Sequence, residues 1–111
     1  MSITVIDTNN RRKESFPAGA GTARQIITSD DGAKGVRAAI YEIEPHKSVD
    51  MELNSENRSH LFYVLEGEVE IDGKTYAAGS CIYIEKNTPY GPTRAPKGGK
   101  VLRYAEAGIG K

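Results

Sequence analysis

A chain of 111 residues is the size of one ordinary domain, long enough for a single hydrophobic core and too short for two. Hydrophobic residues are 38% and charged residues 27%, the balance of a globular rather than a disordered chain. The 15 basic and 15 acidic residues cancel, so no net charge draws the chain to nucleic acid or to an anionic membrane.

In chain order, Met1 to Asn10 lacks the charged head and apolar run of a signal peptide. A weak strand is expected at Ile3 to Asp7. Arg11-Arg12-Lys13 is the only basic cluster, and Glu14 follows it, so it reads as a solvated segment. Asn9 to Gly21 holds Pro17, Gly19 and Gly21 and is expected to be a loop or arm. Residues 1–21 are therefore taken as an N-terminal strand and arm, and residues 22–111 as a β-barrel domain. A second weak strand is expected at Thr22 to Thr28. Gly35 to Glu44 (GVRAAIYEIE) is a clearer one, closed by Pro45. Asp50 to Asn57 lacks a clean helical period, and no segment reads as a convincing helix.

Ser59 to Glu66 (SHLFYVLE) is rich in aromatic and β-branched residues, as strands are. Gly67 to Ile71 follows as a second strand. Asp72-Gly73 is a strong hairpin signal, because a type I′ turn needs positive φ at both central residues. Lys74 to Ala77 is the return strand, and Ser80 to Ile84 and Lys100 to Glu106 complete the set. Short strands between frequent turns imply an all-β, antiparallel sandwich or barrel. Cys81 is the only cysteine, which forbids an internal disulfide and suits a reducing compartment. As a free cysteine it is expected in the core. No stretch approaches the length of a membrane span, so a cytoplasmic protein is expected.

The stretch from Asn54 to Tyr90 resembles the two signature motifs of the cupin family. YVLEGEVEIDG, Tyr63 to Gly73, is similar to the second half of the first motif. GSCIYIEKNTPY, Gly79 to Tyr90, has the length and rhythm of the second. The resemblance implies a single-domain antiparallel cupin β-barrel of jelly-roll type. It also implies a divalent metal held in the barrel by three His and one Glu. Carried over position by position, the first two His places fall on Asn54 and Glu56, the Glu place on His60 and the last His place on Tyr90. None of the four keeps the family's residue.

Positions 54, 56 and 60 share strand parity, so Asn54, Glu56 and His60 are expected to point into the barrel, with Tyr90 reaching in from a facing strand. Three readings stay open. Glu56, His60 and Tyr90 could hold zinc or iron through one nitrogen and two oxygens. They could instead work without metal, with His60 as acid and base, Glu56 as its orienting partner and Tyr90 as a donor to a developing oxyanion. Such an apparatus suits lyase, isomerase or cyclase chemistry on small carbonyl compounds. Or the pocket could bind or sense a small molecule without turning it over. Phe62 and Val64 share the parity of His60 and are expected to form an apolar wall. Asn54, Phe62, Arg37 and Tyr41 are the candidate substrate contacts, Arg37 and Tyr41 lying on one face of their strand. An inward arginine would point to a carboxylate-bearing ligand. Arg37, Arg94 and Arg103 are nevertheless each expected to be outward and solvated. His46, after Pro45, reads as an exposed turn residue. Leu61, Tyr63 and Leu65 have the opposite parity to His60, and an apolar outer face suggests a homodimer. The expected partners are a small molecule and a second copy, with neither nucleic acid nor membrane.

Overall fold

The computed structural model describes residues 3–16, 19–32, 35–45, 47–49, 59–90 and 93–106. Among the described residues nine strands run β1 (Glu14–Ser15), β2 (Gly21–Ile27), β3 (Val36–Ile43), β4 (Lys47–Val49), β5 (His60–Ile71), β6 (Lys74–Ala77), β7 (Cys81–Ile84), β8 (Thr93–Ala95) and β9 (Gly99–Glu106). Short 3-10 segments stand at Thr8–Asn10 and Ser29–Asp31, and no α-helix occurs among the described residues. Every strand pairing is antiparallel. The strands follow one another in the order β1-β2-β3-β9-β5-β8-β4, with β6 and β7 also paired to β5. That path has two ends, so the sheet curls around its core without closing by hydrogen bonds.

β5 makes this curl possible. Its first half pairs with β7 and β9, and its second half with β6 and β8. The register slips between Val64 and Glu66, and Gly67 follows at φ 70°. A bulge and a left-handed glycine together bend a strand sharply, which lets one strand serve both layers. The hairpin turn at Asp72-Gly73 has φ of 54° and 80°, the positive pair the sequence demands there. Alternate residues of each strand then fill the interior. Ala39, Tyr41 and Ile43 of β3, Phe62, Val64, Val69 and Ile71 of β5, Ile84 of β7 and Val101 of β9 form one buried cluster.

Two sequence expectations fail here. Ile3 to Asp7 is not a strand; Ile3 and Val5 are exposed, and Asp7 caps the first 3-10 turn by accepting from the Asn9 amide. β-branched residues do not make a strand where no neighbouring strand pairs with them. Cys81 is exposed, because it lies opposite Tyr63 on the outer face, out of phase with Ile82 and Ile84.

Candidate functional site in the barrel interior

The interior face of the large layer reads as rows across the strands. Ile84, His60, Ala105 and Arg37 form one row, from β7 through β5 and β9 to β3. Ile82, Phe62, Arg103, Ala39 and Gln25 form the next, reaching β2. Val64, Val101, Tyr41 and Ala23 form a third, wholly buried row beneath them.

His60 is fully buried, at 0% exposure. The residue before it holds the start of β5 in place. The Ser59 amide donates to a Glu106 carboxylate oxygen at 3.3 Å, and the Glu106 amide donates to the Ser59 carbonyl at 3.2 Å. The Ser59 hydroxyl oxygen accepts from the Tyr83 hydroxyl at 3.1 Å and from the Lys86 amide at 3.2 Å. A strand end tied this way fixes the direction of the next side chain.

Tyr90 comes to His60 as the sequence leads one to expect, with its hydroxyl 3.3 Å from Nδ1. Phe62 lies against both rings, with centroids 6.5 Å away and edge-to-face geometry. Tyr90 also forms one wall of an adjoining groove of ≈340 Å³, shared with Tyr76, Ile82 and Ile84. Tyr41 is buried deeper on the same face and meets Phe16 edge-to-face at 5.2 Å. Arg37 keeps the parity of Tyr41, but it sits at the strand's open end and is exposed. Asn54, Glu56 and His46 lie outside the described residues.

Arg103 corrects the sequence reading. It is not outward: it stands opposite Phe62 on the inner face, and its Nη2 lies 3.2 Å from His60 Nε2 and 3.5 Å from Nδ1. The small side chains of Ala39 and Ala105 beside it leave room for a guanidinium. An arginine is usually solvated, so residue type alone hid it; its shared parity with Val101 and Ala105 was the available signal. Arg94 is exposed and pairs with Glu70 at 3.4 Å, outside the site.

A guanidinium nitrogen nearly equidistant from both ring nitrogens, 3.2 Å from Nε2 and 3.5 Å from Nδ1, lies over the face of the imidazole rather than along either lone pair. The Tyr90 hydroxyl meets Nδ1 as donor or acceptor according to the tautomer. The imidazole thus has a phenol at one nitrogen and a cation over its ring. Among the described residues no three of His, Cys, Asp and Glu gather as ligands. Of the expected ligand set, His60 and Tyr90 stand together and Glu56 lies outside the described residues.

No family model matches the sequence, and no curated protein matches it. Solved structures do. The chain is similar to the polyketide cyclase RemF from Streptomyces resistomycificus at 22% identity and TM-score 0.76, over 95% of this chain and 80% of that one. It is similar to an RmlC-like cupin from Shewanella frigidimarina at 15% identity and TM-score 0.76, over 98% and 95%. A sugar phosphate isomerase of the cupin superfamily from Silicibacter pomeroyi superposes at 12% identity and TM-score 0.75, over 93% and 75%. Antiparallel strands, an interior lined by alternate residues and these superpositions agree: the chain has the cupin fold.

Proposed function

We propose that this chain is a small-molecule enzyme working by proton transfer, a lyase, isomerase or cyclase, with His60 as its acid and base. The observation that carries the reading is a fully buried imidazole within hydrogen-bond reach of both a phenol and a guanidinium. A base, a neutral donor and a cation around one interior space are what abstraction of a proton next to a carbonyl requires. His60 Nε2 takes the proton. The Tyr90 hydroxyl, held by Nδ1, donates to the oxygen on which negative charge builds. Phe62 and the buried rows beneath keep water from the reacting atoms. Glu56 would orient the imidazole and Asn54 would contact substrate, both on the strength of the sequence motif alone. The cyclase and the isomerase among the similar structures lend support, since the fold hosts such chemistry elsewhere. We place the enzyme in the cytoplasm, and no helix among the described residues is long and apolar enough to cross a membrane. It works as a homodimer through the outer face of the large layer.

A second reading has its own support. Each ring nitrogen of His60 already has a protein partner, as in a structural histidine, and the barrel would then bind or sense a small ligand without turnover. Turnover separates the two. With a panel of small carbonyl substrates, His60→Gln is expected to lower kcat about a hundredfold or more while its circular dichroism and melting stay native. Saturable binding of panel members with no turnover by the wild type would leave the binding reading in place and sink the enzyme.

A further inference from the structure

We infer that Arg103 is a carboxylate anchor, and that the barrel takes a small organic anion whose carboxylate replaces His60 as the partner of the guanidinium. This names the substrate class and rests on the proposed function only for the chemistry that follows binding. Arg103 is half-buried on the inner face, and no carboxylate among the described residues pairs with it. Among the described arginines, Arg11 and Arg94 make ion pairs and Arg103 does not. An inward guanidinium that spends one Nη2 on an imidazole leaves most of its donor fork uncommitted to charge. A carboxylate matches that fork in geometry and sign, and does so better than any neutral group.

Arg37 adds to the field. It shares the inner face, and its cross-strand partner Ala105 is also the partner of His60. The two arginines are diagonal neighbours on adjacent strands, Arg37 at the rim and Arg103 inside. Arg37 makes no ion pair among the described residues. An anion entering the mouth meets Arg37 first and Arg103 next. When the carboxylate takes the Arg103 fork, the guanidinium leaves the face of the His60 ring, and the imidazole is opened to the substrate. Anchoring and exposure of the base are then one event. A neutral analogue has no charge with which to displace the guanidinium and leaves the ring covered.

The test reads binding, not turnover. The chain has only two histidines, so the imidazole nitrogens of ¹⁵N-labelled protein give a simple spectrum, and His60→Gln identifies the His60 signals. The probes are acetate, malonate and benzoate, each beside its neutral amide. At least one carboxylate is expected to shift the His60 Nε2 resonance saturably, and its amide to leave the resonance in place. Arg103→Met is expected to weaken that binding about tenfold or more. Arg103→Lys, which keeps the charge and loses the fork, should fall between, and Arg37→Gln should weaken binding less than Arg103→Met. The inference is overturned if no carboxylate shifts His60, if the amides bind as well, or if Arg103→Met and Arg103→Lys, both native by melting, bind like the wild type. An enzyme that turns over uncharged substrates through His60 while ignoring carboxylates would keep the proposed function and lose the anchor. Carboxylate binding without turnover would do the reverse.

Discussion

Arg11 and Asp31 meet at 2.6 Å and tie the N-terminal segment to the 3-10 turn that follows β2. The same carboxylate accepts from the Thr28 amide at 2.9 Å. The hydrogen bond from Arg11, then that from Thr28, holds the Asp31 carboxyl below the ordinary aspartate value of 3.8. A folded-state pKa depressed below the unfolded value means that the ionised carboxylate stabilises the fold. That contribution is complete above the unfolded value and is lost as pH falls through the folded one. In Asp31→Asn the melting temperature should therefore lie below that of the wild type near neutrality, and the gap should narrow as the pH drops below 3.8. Melting curves across that range decide it, and a gap independent of pH would show that the carboxylate charge is not what the segment needs. Arg103 teaches a related lesson at the same scale. Its identity argues for solvent, whereas its strand parity argues for the interior, and parity wins because Ala39 and Ala105 leave it space.

Strands were legible in the sequence wherever the alternation ran for four residues or more, as in β3, β6 and β9. The three-residue strands β4 and β8 were not, because three residues carry too little alternation and their pairing is long-range. Cys81 was misplaced for a different reason: a habit of the residue type was preferred to the clear phase of Ile82 and Ile84. Ser59 to Glu66 and Gly67 to Ile71 read as separate strands, yet they are one element, β5. The glycine that looked like a break is the point where β5 passes from one layer to the other. A Cβ on Gly67 would stand 2.5 Å from the Gly98 carbonyl oxygen, on a backbone at φ 70°. Neither the carbonyl nor the turn can yield without disturbing the β5–β9 ladder. Gly67→Ala is accordingly expected to cost about 2 kcal/mol or more, measured as a fall in the urea midpoint at constant slope. A change below about 0.5 kcal/mol would mean that the crossover bends without the glycine.

On the scale of the whole molecule, the unusual surface is the outer face of the large layer. Tyr83, Leu61, Tyr104 and Ala38 form one row across four strands, and Cys81, Tyr63, Leu102 and Ile40 form the next. Tyr83 is 64% exposed, Tyr63 and Leu65 38%, and Tyr104 36%. A charged border runs along one side, where Lys100 pairs with Glu66 and Lys13 with Glu42. Contiguous apolar surface edged by charge marks an interaction site, and a sheet face is well suited to stacking on a two-fold copy of itself. The zero net charge of the chain sets up no repulsion between copies. Sedimentation equilibrium should give twice the chain mass for the wild type. Placing a carboxylate in the centre of the face, in Tyr63→Glu or Tyr104→Glu, should give the single-chain mass, since an unpaired charge is costly to bury. Tyr83 is the wrong probe, because its hydroxyl also holds Ser59 and removing it would disturb the start of β5. Carboxylate binding at Arg103 should survive both substitutions, because the inner and outer faces of β5 and β9 alternate and do not share side chains. A monomeric wild type at high concentration would leave this face without its second copy, whereas a dimer that ignores both carboxylates would move the interface elsewhere.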